Sequence, residues 1–214
     1  MRKKFMIVMI IVCLGFVGCS ATELEERCFP QLVAVGYEDN RVVYSAGFPR
    51  VGSSGEKEPK INEIQVAPTS AKTFKESRQE YEMHLNKTAD YNHLKVLILE
   101  EDFLEETKAY EKMLDALAES EDFPRNTYVC AVEDIEDLLE IDKNLPQDLG
   151  TYLEEYLNNH EEKKDKILSL GDLIDEKANG EMILYMPYLD VEENYVTWGG
   201  YYAIGKGREP IEID

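Results

Sequence analysis

Basic residues are scarce in this chain. Its 214 residues include 23 Lys+Arg against 44 Asp+Glu, a formal net charge of −21. Such a balance leaves no cationic footprint for a nucleic-acid backbone, so binding by counterion release is excluded. Histidine and cysteine are sparser still, with three His and four Cys. No Cys pair or His pair has zinc-ligand spacing, which excludes a structural zinc framework. Catalytic signatures are also missing: no G-x-S-x-G elbow, Walker A loop, G-x-G-x-x-G after a strand, H-E-x-x-H or S-x-x-K occurs. His84, His93 and His160 lie far apart in sequence, with no Ser or Cys in an elbow-like setting nearby, and read as surface or structural histidines. Gly205-Lys206-Gly207 has no helix after it to receive a phosphate and reads as a turn. No catalytic residue, metal ligand or cofactor site is assigned, and paired carboxylates of the glycosidase kind have no specific support.

Apolar content is not lacking. At 43% hydrophobic and 10% aromatic residues the chain is too apolar for a disordered acidic tail, and its length suits one compact domain. The opening residues differ from the rest. Arg2, Lys3 and Lys4 precede the apolar run Phe5 to Leu14, and small residues lead to a cysteine in Phe16-Val17-Gly18-Cys19. The run is shorter than the roughly 20 residues a spanning helix needs, so residues 1–18 read as an export signal. The last four residues resemble the bacterial lipobox, with Phe16 where Leu is usual. That resemblance implies a diacylglycerol thioether and an N-acyl chain on Cys19, and no other cofactor. Two or more acyl chains give stable anchoring at about 0.8 kcal/mol per buried methylene.

Without Arg2, Lys3 and Lys4 the mature chain keeps 20 bases against 44 acids, a charge of −24. Anionic lipid repels such a body, so residues 19–30 read as a tether holding it off the outer face of the cytoplasmic membrane. Cys13 leaves with the signal and Cys19 takes the lipid, which leaves Cys28 and Cys130. An exported protein can join them in a disulfide, but Cys130 sits in the apolar run Tyr128 to Val132 and reads first as a buried thiol.

The mature chain alternates strands and helices. Leu32 to Tyr37 and Arg41 to Ala46, separated by Glu38-Asp39-Asn40, predict a hairpin. Residues Pro49 to Pro68 predict a long loop, with a brief strand near Ile61, Ile64 and Val66. Thr73 and Glu76 have capping-box spacing, and a helix is predicted from Ala71 to Asn86. The apolar run Leu94 to Leu99 predicts a strand covered on both faces. One helix follows, with Phe103, Tyr110, Met113, Leu114 and Leu117 on its stripe, then a strand over Asn126 to Val132; strand, helix, strand implies parallel pairing. Helices are predicted around Ile135 to Leu139, around Leu149 to Leu157, and from Ser169 or Gly171 up to Gly180. Met182 to Met186 and Tyr195 to Ile204, joined by a turn from Asp190 to Asn194, predict a closing hairpin. The fold class is α/β: a single domain over residues 31–208 with a mixed sheet flanked by helices, then a tail at 209–214.

Two surfaces stand out. Residues 100–165 hold 22 acids and only six bases; this reads as a solvated helical face, and no calcium-loop pattern supports more. Tyr195, Trp198, Tyr201 and Tyr202 crowd one strand, whose alternation predicts that some of them face away from the core as interface residues. A structural role for Trp198 in the domain's own core stands beside that reading.

Taken in order, several segments resemble the Ger(x)C family, the lipoprotein C subunits of spore germinant receptors. They are the lipobox, the strand Leu32 to Tyr37, the tract Asn92-His93-Leu94-Lys95-Val96-Leu97-Ile98-Leu99-Glu100-Glu101, and the strand Arg125 to Val132. Asp137-Leu138-Leu139, Met186-Pro187-Tyr188-Leu189 and Gly200 to Ile204 continue the series. Tyr37 stands where the family usually has an acid. Family members usually continue into further C-terminal domains, so the resemblance is to the N-terminal one. It implies a non-enzymatic subunit on the outer face of the spore inner membrane that assembles with polytopic A and B subunits in nutrient-triggered germination. A solute-binding or accessory lipoprotein of another membrane complex is the alternative from residue chemistry alone.

Overall fold

The structure is a computed structural model that describes residues 24–49, 66–159, 168–179, 183–192 and 195–204. The signal segment, Cys19, most of the predicted loop between Pro49 and Pro68, His160 and Gly205-Lys206-Gly207 lie outside the described residues.

The chain enters through a 3₁₀ turn, Leu24–Glu26, and a two-residue strand β1, Arg27–Cys28. Strands β2 (Leu32–Glu38) and β3 (Arg41–Gly47) form the predicted hairpin, with Glu38 opposite Arg41. Asp39 and Asn40 both have positive φ, 50° and 61°, the type I′ geometry whose twist matches the flanking strands. Strand β4 (Thr69–Ala71) precedes helix α1 (Phe74–Met83). The Thr73 hydroxyl accepts from the Glu76 N–H at 3.2 Å, so α1 starts three residues later than predicted, the intervening Ala71 being held in β4. Strand β5 (Thr88–Ala89) pairs with β1, and strand β6 (Val96–Glu100) is the predicted covered strand.

The single helix predicted next is two, α2 (Glu101–Glu105) and α3 (Thr107–Glu119), separated by Glu106, whose ψ of 72° is not helical. Then come β7 (Tyr128–Val132), α4 (Ile135–Asp142), α5 (Leu149–Asn159), β8 (Leu168–Ser169) and α6 (Leu170–Asn179). Ser169 and Asp172 cap α6 reciprocally: the Asp172 carboxylate accepts from the Ser169 N–H at 2.8 Å, and the Ser169 hydroxyl from the Asp172 N–H at 3.3 Å. The chain closes with β9 (Leu184–Val191) and β10 (Val196–Ile204). β9 runs through Pro187 to Val191, so Asp190 is strand rather than turn. The β7 ladder touches β9 only at Tyr188 and Leu189, one residue past the proline, where a missing N–H is tolerated.

The main sheet has the order β10-β9-β7-β6-β2-β3-β4, with β8 pairing on β7; β2, β6, β7 and β9 run parallel. Strand alternation sorts the core into two. Val33, Val35, Leu97, Leu99, Val129 and Ala131 face α1, α2, α3 and α6, with Phe74, Tyr81, Phe103, Met113 and Leu173 among the cluster. Leu32, Ala34, Val96, Ile98, Cys130 and Val132 face α4 and α5, packing on Leu138, Ile141, Leu153 and Leu157. The fold is a three-layer α/β/α domain, which is why the β6 run reads as continuously apolar. Cys28 and Cys130 are both buried free thiols. Burial pushes the Cys130 thiol far above its ordinary range.

Candidate functional site

From β2 the connections diverge, to β3 and β4 on one side and to β6, β7 and β9 on the other. Open α/β sheets take ligands in the crevice outside the carboxyl ends of strands at such a point. Here Val35 pairs with Leu99, so Gly36 and Glu100 meet at the mouth of that crevice. One Glu100 carboxylate oxygen accepts from the Tyr37 N–H at 3.1 Å, and the other from the Ile135 N–H at 3.3 Å. Ile135 opens α4, so the protein's own carboxylate sits at a helix N-terminus where an anionic ligand would otherwise be held. Gly36 permits the approach: a Cβ there would lie 2.5 Å from the Glu100 Oε2.

The cleft around this plug has a volume of about 770 Å³, and eight of its sixteen lining residues are acidic while none is basic. They include Glu38, Glu101, Asp102, Glu133, Asp134 and Asp137. The Tyr188 hydroxyl donates to Glu101 at 3.1 Å. Burial pushes the Glu100 carboxyl above its ordinary value against the pull of its two backbone donors, and Asp134 and Asp102 add to the rise. Chemically, this mouth repels phosphorylated and carboxylated ligands. Among the described residues no group of three His, Cys, Asp or Glu could hold a metal ion.

The opposite end, at the amino ends of the parallel strands, carries the entry of the chain. The Arg27 guanidinium bonds Asp90 at 2.9 Å and fastens β1 to the segment following β5. Burial works against the Asp90 charge, but the Asn92 N–H and Arg27 outweigh it and hold the carboxyl below its ordinary value. Behind this clamp a polar chain enters the core. The Tyr44 hydroxyl donates to the Tyr91 hydroxyl at 2.9 Å, which donates to Glu82 at 2.9 Å, and Glu82 accepts from Arg78 at 2.6 Å. The Arg78 guanidinium lies over the Tyr91 and Phe123 rings at 4.6 and 4.9 Å and bonds Asp122 at 2.8 Å. Every charge in this cluster has a partner. His93 stands beside Phe29, ring centroids 5.1 Å apart.

The four aromatic residues singled out in the last strand are divided by a bulge. Register shifts between Trp198 and Gly200, Gly200 takes φ 123°, and a Cβ on Gly199 would lie 2.6 Å from the Asp190 carboxylate. Trp198 and Tyr201 therefore meet edge to face at 5.3 Å, with Tyr185 a further 6.4 Å from Tyr201. Trp198 is half-buried against the second cluster, and Tyr202 belongs to the first. Tyr201 and Tyr202 are 7% and 5% exposed, while Tyr195 is 53% exposed. Tyr201 and Tyr202 are thus covered within this chain and Trp198 partly so, and of the four it is Tyr195 that stands mainly in solvent. The feature that sequence reading did not single out is the Glu100–Gly36 plug; its signal is an acid ending an apolar strand and a glycine just past the ladder on its neighbour.

A family model described as the spore germination protein N-terminal domain matches residues 20–191, from the tether through β9. No curated protein matches the chain, and no solved structure does.

Proposed function

We propose, since this chain belongs to the spore germination protein N-terminal domain family, that it acts as a non-enzymatic, lipid-anchored C subunit of a receptor through which nutrients trigger spore germination. The observation that carries this reading is the family match across residues 20–191. The carboxylate that fills the crevice mouth supports a binding or assembly role over catalysis, since the place where α/β enzymes seat a ligand is taken by Glu100. In this reading Cys19 carries the diacylglycerol and N-acyl chains, and the domain works on the outer face of the membrane beside polytopic A and B subunits. Among the described residues no helix is long and apolar enough to cross a membrane. Extraction of membranes in mild detergent, followed by capture of this chain, tests the reading. Polytopic membrane proteins are expected in stoichiometric company; recovery of a lone monomer holding a metabolite contradicts it.

A further inference from the structure

We infer that the tethered domain turns the rim at the amino ends of its parallel strands toward the bilayer and holds its acidic mouth outward, an inference that depends on the Cys19 anchor proposed above. Three independent placements converge on this orientation. The first is the distribution of exposed apolar side chains. Five large hydrophobic residues are exposed among the described residues: Leu24 (72%), Met83 (76%), Ile183 (54%), Tyr185 (37%) and Tyr195 (53%). Four of them lie at one end. Leu24 precedes β1, which leads into the amino end of β2. Met83 closes α1 before β5, which leads into the amino end of β6. Ile183 and Tyr185 stand at the start of β9, three or more residues before its ladder with β7 begins at Tyr188. Scattered single apolar residues need no explanation, but four of five at the same end of the sheet make that end the more apolar of the two.

The second placement is the reach of the tether. Four residues lie between Cys19 and Leu24, and the five Cα-to-Cα steps span at most about 17 Å when fully extended. A lipid on Cys19 therefore holds this same rim within one tether length of the headgroups. The third is charge. The mouth with eight acids and no base lies at the carboxyl ends of β2 and β6, the far end of the sheet. The near rim is mixed rather than wholly acidic: Glu25 and Glu26 stand with Lys87, while Arg27 is paired with Asp90 and Lys95 with Glu154. An anionic surface acts over about a Debye length, roughly 8 Å at physiological salt, so it discriminates between the two ends and repels the mouth.

The test uses the full lipidated chain in vesicles of phosphatidylethanolamine and phosphatidylglycerol doped with a headgroup nitroxide lipid. Met83→Cys, Ile183→Cys and Asp137→Cys carry a fluorophore one at a time; all three positions are exposed in or beside well-formed elements, and Cys28 and Cys130 are buried from the reagent. Quenching is expected to be several-fold stronger at 83 and 183 than at 137. Equal quenching at all three positions, or stronger quenching at 137, with the chain still bound through a modified Cys19, overturns the orientation and leaves the anchor standing. An unmodified Cys19 with release of the chain by an alkaline wash overturns both.

Discussion

Replacing Gly36 with Ala probes the crevice plug directly. The new methyl would sit 2.5 Å from the Glu100 Oε2, 3.2 Å from its Cδ and 3.4 Å from the Ile135 Cδ1. A free glutamate could swing aside at little cost. This one cannot do so without releasing the Tyr37 and Ile135 N–H groups, and hydrogen bonds to a charged group contribute about 1.5–3 kcal/mol each. Loss of one, with partial retention or hydration of the other, puts the cost of Gly36→Ala at about 2–4 kcal/mol. The same substitution in a Glu100→Ala background removes the obstruction, so its cost should vanish or turn into a gain of up to about 1 kcal/mol, since a strand glycine is less stable than alanine. The coupling of the two is then at least about 2 kcal/mol, well above the additivity error for independent sites. Urea unfolding followed by circular dichroism on the four members of the cycle gives the number. Equal Gly36→Ala costs with and without Glu100 would refute the steric and hydrogen-bond account of the plug.

Other expectations follow from the same geometry. Leu97→Ala should cost about 2–5 kcal/mol in urea unfolding, because Leu97 is wholly buried between β2 and β7; a loss below half a kilocalorie would contradict its central place. Tyr91→Phe should cost more than Tyr44→Phe, about 1–3 kcal/mol, since it strips the Tyr44 hydroxyl of its acceptor as well as Glu82 of a donor; thermal denaturation of both variants ranks them. Asp90 is held below its ordinary value of 3.8, so it adds stability above that value that disappears as pH falls through its folded value. Protection from hydrogen exchange at β1 and β5, corrected for the slower intrinsic exchange in acid, should therefore fall on acidification below about pH 4, and Arg27→Ala should weaken that dependence, the Asn92 donors remaining. Glu100 has the opposite sign: raised in the fold, it favours the folded state most below its unfolded value and loses that contribution as pH rises, which a comparison of Glu100→Ala with the parent between pH 4 and pH 7 would read. Trp198→Ser and Tyr202→Ser should both lower stability; a Trp198→Ser chain of unchanged stability with altered partner recovery would move Trp198 from core to interface.

The parts of the fold legible in the sequence are those whose burial is two-sided or whose turn chemistry is local. Val96 to Leu99 feeds both clusters, so its run needs no periodicity to be read. Asp39-Asn40 supplies its own positive φ. What escaped reading depends on pairing. β1, β4, β5 and β8 have two or three residues each, too few to show alternation; β4 and β8 exist because the longer β3 and β7 offer them a ladder, and β1 and β5 because they pair with each other. The break at Glu106 interrupts a stripe that stays in phase across it, so Phe103 and Tyr110 still face one core. The glycine pair in β10 rotates Trp198 relative to Tyr202, which counting from strand period cannot anticipate. Glu100 is visible as a residue, yet its role needs the β2–β6 register and the start of α4 at once.

The most direct measurement of the central claim is nutrient-triggered germination in spores whose only copy of this chain carries Cys19→Ala, followed as loss of optical density. A receptor subunit that depends on its lipid predicts a slowed or absent response to nutrient, with an unchanged response to a trigger that bypasses nutrient sensing. Parent and variant spores responding to nutrient at the same rate would contradict the account.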